Sequence, residues 1–194
     1  MIIPNIDLHS HSTISDGLFT PTELVSYASE KGVHALALTD HDDIAGLKEA
    51  SIMAKKLNLI FINGVEISVT WRKRTLHIVG LNFDSSNSNL NDGLKGIRSG
   101  RDSRAEKMAN SLGMAGIFDS LDGAKKFSKR GAIGRIHFAQ FLVSQGHAKD
   151  IKQVFKKFLT PGKPGYVDHE WASLEDAVSW ITDAGGDAVI AHPG

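Results

Sequence analysis

Short apolar runs that carry or end in histidine or a carboxylate alternate with helix signals through the first half of this chain. That order predicts α/β architecture, a mainly parallel sheet or barrel with helices outside. "IIPNIDLH" reads as a strand. Thr20-Pro21-Thr22-Glu23 then offers a capping box with proline at the first helical position, opening a helix that stops at Gly32. "ALALTDH" reads as a second strand, and Leu47, Ala50, Ala54 and Leu57 recur at helical spacing. "LIFINGVEISV" and "TLHIVGLNF" are separated only by Trp71-Arg72-Lys73-Arg74, which predicts an antiparallel hairpin. From Ser88 to Lys163 strand signals give way to helices. Ser173-Leu174-Glu175-Asp176 then caps a helix that turns Ala177, Trp180 and Ile181 inward, Gly185-Gly186 ends it, and "DAVIAHP" forms a last strand.

The 194 residues hold 41% hydrophobic and 23% charged side chains, an ordinary balance for one or two globular domains. With no cysteine there is no disulfide partner and no thiolate ligand, so any metal is held by imidazole and carboxylate oxygen. No basic leader with an apolar run opens the chain and no segment has the length of a membrane span. The expected location is therefore cytoplasmic, with no membrane partner. The net charge is zero, yet residues 96–164 carry 14 Lys+Arg against 5 Asp+Glu, while the remainder carries 8 against 17. The reading is an acidic body over 1–95 and 165–194, interrupted by a basic helical insert over 96–164. Such an insert either attracts a polyanion or presents solvated helix faces.

In "DLHSHSTISDG", His9 and His11 share one face of an extended strand, Leu8 points into the opposite layer, and Asp16 follows five residues on. Alone, an H-x-H suits a solvated strand end as well as a metal. The other strands repeat the theme: Asp40 and His41 end the second, Glu66 lies in the third, His77 in the fourth, and His192 ends the last. Ligands in α/β folds gather at the C-terminal ends of strands, so these residues are expected to converge on one rim as a metal centre. Imidazole and carboxylate without thiolate suit Zn, Mn or Fe, and Glu66 has two oxygens with which to bridge two ions. His34, in a helix-to-strand turn, and His147, after a helix end, read as structural or solvated. His169 stays ambiguous.

The motifs His9-x-His11, Thr39-Asp40-His41, "GVEIS" around Glu66 and Ala191-His192-Pro193 resemble those of the PHP (polymerase and histidinol phosphatase) family. More narrowly, "DLHSHSTISDG", "LALTDHD", "HIVGLN", "HFAQFLV", "VFKKFL" and "AHPG" are similar to the bacterial branch of RNase AM and the 3′,5′-nucleoside bisphosphate phosphatases. The resemblance implies an α/β, distorted PHP-type β/α barrel, incomplete in this chain, with an inserted helical subdomain covering the site. It implies up to three divalent metal ions (Mn, Zn, Fe or Mg): one on His9, His11 and Glu66, a second on Glu66, His77 and His192, a third on Asp16 and His41. Asp40 is expected to orient His41 or its neighbourhood. Arg135 and His137 of "GRIHFA" match phosphate-contacting positions and are the implied catalytic side chains of the insert, with Lys163 as a further phosphate contact. The implied reaction is phosphoester hydrolysis by metal-bound hydroxide. Its implied substrates are a nucleotide or short RNA: the 3′-phosphate of 3′,5′-bisphosphonucleotides, RNA degraded from its 5′ end by a 5′-to-3′ exoribonuclease, or both.

The family's later D-x-H motif has no counterpart before Gly194, and Asp168-His169-Glu170 does not match its position. The expectation is therefore an N-terminal portion of a longer protein, or a truncated chain, that binds at most two ions tightly and turns over poorly alone. Two other functions stay open: a small-metabolite phosphatase of the histidinol-phosphatase type, and an inactive PHP module kept for binding.

Overall fold

Strand β1 (Ile6–Ser10) pairs in parallel with β2 (Ala35–Leu38), and β2 in parallel with the first residues of β3 (Ile60–Trp71). The helices α1 (Pro21–Glu30) and α2 (Leu47–Lys56) supply the two crossovers. Thr20 caps α1 as the sequence predicts: its hydroxyl accepts from the Glu23 amide while the Glu23 carboxylate accepts from the Thr20 amide. This computed structural model describes residues 4–128 and 133–193, so Ile2, Ile3 and Gly194 of the motifs quoted above lie outside the described residues. The chain divides into two compact units, residues 1–97 with 170–194, and residues 98–169.

In the first unit the sheet runs β1-β2-β3-β4-β6 and curls as an open half-barrel. As the sequence predicts, β4 (Arg74–Leu81) forms an antiparallel hairpin with β3, and β6 (Asp187–Ile190) then pairs antiparallel with β4. The reason for the hairpin is its tight connection. A two-residue loop can only reverse the chain, whereas a parallel neighbour needs a crossover. Arg72 and Lys73 form that loop, both with positive φ (46° and 63°), between the paired residues Trp71 and Arg74. This is the backbone of a type I′ turn, which ordinarily selects Asn-Gly.

Along β3 the side chains alternate. Val65, Ile67 and Val69 enter the core with Ile78, Leu90, Leu94 and Ile181, while Glu66 and Ser68 face the other way. A two-residue strand β5 (Ala172–Ser173), too short to read from sequence, pairs with the end of β3 and leads into α7 (Leu174–Asp183), capped by Ser173. Leu8 departs from expectation. It is 38% exposed and Ile6 52%, because β1 is an edge strand whose outer face no described residue covers.

The long helix α3 (Ser88–Met114) contains the boundary between the units. In the second unit, Met108, Leu112, Phe138, Leu142, Val154 and Leu159 form a separate core, contributed by α3, α5 (Arg135–Ser144), α6 (Ile151–Val154) and a π-helical turn at Phe155–Leu159. The short α4 (Ser120–Lys125) adds Ala124. Among the described residues no helix is long and apolar enough to cross a membrane.

Two glycines of α3 separate helix propensity from packing. A Cβ on Gly93 would meet the Trp180 ring at 2.5 Å, whereas one on Gly96 would meet nothing within 4 Å. Alanine gains about 1 kcal/mol over glycine in a helix, but overpacking costs about 1–3 kcal/mol. Gly96→Ala should therefore raise the melting temperature and Gly93→Ala lower it, checked by thermal denaturation of both variants.

Candidate metal centre

Five imidazoles close a ring around one buried carboxylate. The side chain of Glu66 is 1% exposed, and its Oε2 lies 3.0 Å from His9 Nε2, 3.1 Å from His11 Nε2 and 3.4 Å from His41 Nδ1. Its Oε1 lies 2.8 Å from His77 Nδ1 and 3.0 Å from His192 Nε2. Successive rings are neighbours all the way round, at centroid distances of 5.2 Å (His9, His11), 4.7 Å (His11, His41), 4.9 Å (His41, His77), 5.5 Å (His77, His192) and 5.7 Å (His192, His9). Asp16 reaches the same cluster from its loop, 3.8 Å from His11 Nδ1 and 3.7 Å from His41 Nε2. All seven residues expected from the sequence as metal ligands come together.

The strands explain how. His9 and His11 flank the end of β1, and His41 follows β2, where a single parallel bridge ties it to Glu66. On each side of that bridge the backbone is fastened, the Glu66 amide donating to Asp40 O and the Asp42 amide to Glu66 O. His77 pairs with Ser68 across the hairpin and so faces the same way as Glu66. Because β4 is antiparallel, His77 enters from the first half of its strand rather than from its C-terminal end. The Ala191 amide donates to His77 O, bringing His192 beside it.

Asp40 does not hydrogen-bond His41. Its buried carboxylate accepts from the Ser12 amide (2.7 Å), the Ser12 hydroxyl (2.6 Å) and the Ser15 hydroxyl (2.6 Å), which fixes the loop that carries Asp16. The adjacency of Asp40 and His41 in sequence points their side chains apart, so the neighbourhood it orders is the β1 loop. Sequence reasoning missed Asp42, fully buried at φ 54°, whose carboxylate accepts from the amide and hydroxyl of Ser68. The signal was the second acid in "TDHDD".

Burial works against the charged form of Glu66, yet the imidazoles of His11, His77, His41 and His9 close around it and hold its pKa far below the carboxylate range. Burial, with His11 and His77 adding to it, pushes His41 down to about 4 against the pull of Glu66 and Asp16. For His11, burial is outweighed by Glu66, Asp16 and Asp40, and its pKa rises. Asp40 is raised by burial despite its serine donors.

Two features fit this cluster to divalent metal ions. Nδ1 of His41 and Nδ1 of His77 are buried and make no hydrogen bond among the described residues, although each lies close to a Glu66 oxygen. A lone pair facing a carboxylate at that range is satisfied by a cation between them. Three sets of ligand atoms also lie within 4.8 Å of one another: His9, Glu66 and His192; His11, Asp16 and His41; His41, Glu66 and His77.

The other sequence-singled residues lie elsewhere. Arg135, His137 and Lys163 belong to the second unit. Arg135 is exposed at the start of α5, its guanidinium 5.8 Å from the Phe155 ring, and Lys163 is exposed. His137 is 6% exposed, its Nδ1 accepting from the Gly134 amide at the helix N-terminus. Burial, together with Arg135 and Arg101, pushes the pKa of the Arg104 guanidinium down to about 10, and its Nε donates to Val167 O. Arg101 and Arg104 had escaped the sequence reading, though Arg98, Arg101, Arg104 and Lys107 recur at every third residue. His34 is exposed and its Nδ1 accepts from the Asn5 amide; His147 is exposed. His169, half-buried in the second unit, packs against Gly100.

An open α/β half-barrel that gathers five histidines around a buried carboxylate belongs with the scaffolds of metal-dependent hydrolases. The PHP domain profile matches residues 7–181, and the chain belongs to that family. It is 54% identical to the 3′,5′-nucleoside bisphosphate phosphatase of Chromobacterium violaceum over 98% of this chain and 67% of that protein. To the 5′-3′ exoribonuclease of Haemophilus influenzae it is 46% identical (96% and 68%), and to the Escherichia coli 5′-3′ exoribonuclease Rnm 45% (97% and 65%). The chain thus spans about two thirds of the length of these relatives. Among solved structures, an amidohydrolase from C. violaceum, with bound sulfate and no metal, superposes with a TM-score of 0.91 at 54% identity, covering 98% of this chain and 67% of that one. A candidate metal-dependent phosphoesterase from Bifidobacterium adolescentis superposes with a TM-score of 0.88 at 28% identity (98% and 68%).

The depressed pKa of Glu66 has a definite pH signature in metal-free protein. Its contribution to stability is fully present above the ordinary value of 4.5 and is lost as pH falls below it. The stability difference between the parent chain and Glu66→Gln should therefore shrink from pH 5.5 to pH 3.5, as read from urea melts with chelator present. Asp40→Ala, by contrast, strands three donors and should cost about 1–3 kcal/mol of stability at neutral pH, seen in the same melts.

Proposed function

We propose that this chain carries the active site of a divalent-metal-dependent phosphoesterase acting on nucleotide phosphates or RNA ends. One observation supports it above the rest: the two oxygens of buried Glu66 are divided, Oε2 facing His9 and His11, Oε1 facing His77 and His192. That is the arrangement a bridging carboxylate between two ions requires. In this reading His9, His11 and Glu66 hold one ion, Glu66, His77 and His192 a second, and Asp16 and His41 a third. The donor set without thiolate suits Mn, Zn or Fe, with Mg as a further choice.

When bound, such ions polarise phosphoryl oxygens and lower the pKa of water. The chain's own residues do the rest. Glu66 holds five imidazoles in place, and Asp40 steadies the loop from which Asp16 reaches inward. Arg135 offers a planar fork suited to a phosphate, with Arg101 and Arg104 adding charge near it and His137 and Lys163 as further phosphate contacts. The basic second unit favours a polyanionic substrate over a small-metabolite phosphate of the histidinol-phosphatase type. The 3′-phosphate of a 3′,5′-bisphosphonucleotide and the 5′ end of a short RNA, in the cytoplasm, are the substrates and location we assign.

The test pairs elemental metal analysis with hydrolysis of a 3′,5′-bisphosphonucleotide and of a 5′-phosphorylated oligoribonucleotide. Loss of a carboxylate that only orients a ligand costs about 10–100-fold, so Glu66→Gln should reduce metal content and lower turnover by at least about 100-fold. Arg135→Ala should retain the metal and lose about 100-fold in rate. Turnover that survives chelation, or survives Glu66→Gln at full metal content, would sink the proposal.

A further inference from the structure

Outside the metal cluster, the first unit carries one concentrated patch of positive charge. Residues 1–95 and 165–194 hold 8 Lys+Arg against 17 Asp+Glu, and three of those eight are consecutive, Arg72, Lys73 and Arg74, at the tip of the β3–β4 hairpin. All three side chains are exposed, and none is ion-paired among the described residues. Trp71, 38% exposed, stands beside them with the Arg72 guanidinium 4.4 Å from its ring. Stacking on the ring restrains the guanidinium, and the side chain stays exposed, so its N–H donors remain open to a phosphate.

The backbone of the tip carries a second sign. Both central residues of the turn have positive φ, yet neither is Asn or Gly, the residues that adopt this geometry with least strain. A turn tuned for folding alone has no need of Arg-Lys here. Local strain held at a solvent-facing cationic tip is the pattern of a binding element.

Its placement names the ligand. The hairpin that ends in this tip also carries Glu66 and His77. Arg74 is three residues from His77 along β4, about 10 Å at strand rise, and its side chain leaves the opposite face of the strand, beside Trp71. Thr75 lies on the same strand face as His77, across from Thr70. The exposed turn that carries Arg72 and Lys73 thus ends the hairpin more than about 10 Å from the histidine cluster, within reach of neighbouring phosphates of a bound strand and beyond the reacting group of a mononucleotide.

We propose that the Trp71-Arg72-Lys73-Arg74 hairpin tip is a second phosphate-binding subsite that holds the flanking phosphodiesters of a single-stranded oligoribonucleotide. The proposal rests on the phosphoesterase reading above and extends it to how the site distinguishes RNA from a mononucleotide. Lys and Arg at the tip act on any sequence, because they contact phosphate rather than bases.

Arg72→Asn with Lys73→Gly tests it, since this pair removes two cations while installing the preferred turn residues. Binding of a fluorescein-labelled, 5′-phosphorylated oligoribonucleotide is measured by anisotropy across a salt series with chelator present, so the result does not depend on hydrolysis. The double variant should melt at a higher temperature than the parent and yet bind roughly 10-fold more weakly at low salt, with the salt slope reduced by about 1.4 for two lost contacts to a single strand. Arg74→Gln, which leaves the turn untouched, should weaken binding in the same direction with about half that change in slope. With metal restored, hydrolysis of the 3′,5′-bisphosphonucleotide should be equal in parent and variants, which separates this subsite from the catalytic centre. Unchanged affinity and salt slope in both variants would overturn the hairpin subsite while leaving the phosphoesterase reading standing.

Discussion

Glu66 is a carboxylate with almost no access to water, and it is stable there only because imidazoles face it from every side. Burying an isolated carboxylate is costly enough that it would take up a proton instead. Here the opposite holds: the surrounding histidines keep it ionised. The requirement runs outward through the sheet. Residues from β1, β3, β4 and the segments after β2 and β6 all arrive at one point, so the carboxylate is satisfied only in this strand register and with these strand directions.

Around that centre a set of buried side-chain hydrogen bonds carries no chemistry of its own but holds the donors. Thr39 exchanges hydrogen bonds with the Ser10 backbone, Asp40 gathers Ser12 and Ser15, and Asp42 gathers Ser68. Each is fully partnered, which is the condition under which buried polar groups specify one arrangement rather than several. Three consecutive residues after β2 thus have three duties. Asp40 faces the β1 loop, His41 the cluster, and Asp42 the middle of β3.

The two units divide charge as well as cores. The first is acidic and concentrates its histidines around Glu66; the second is basic, and burial with the nearby charges of Arg135 and Arg101 lowers the proton affinity of its Arg104. An acidic surface and a basic one make opposite electrostatic demands, and separate hydrophobic cores allow each its own composition. The hairpin tip is the exception, a basic point on the acidic unit.

Much of this was legible in the sequence because it is local. The capping boxes at Thr20 and Ser173, the helical spacing of Leu47, Ala50 and Ala54, and the period-two alternation around Glu66 are set by neighbours a few residues apart. Six cluster residues could be named because each lies at or near a strand end or within a strand, and Asp16, in the loop after β1, was implied by the family resemblance. Tertiary structure alone decided which oxygen of Glu66 faces which ring, since His9 lies 57 and His192 126 residues from it. It decided too that β6 pairs antiparallel with β4, that Asp40 serves Ser12 rather than His41, and that Leu8 stays exposed on an edge. Each of these depends on contacts between distant segments, and sequence periodicity carries the face of a side chain but not the identity of what meets it.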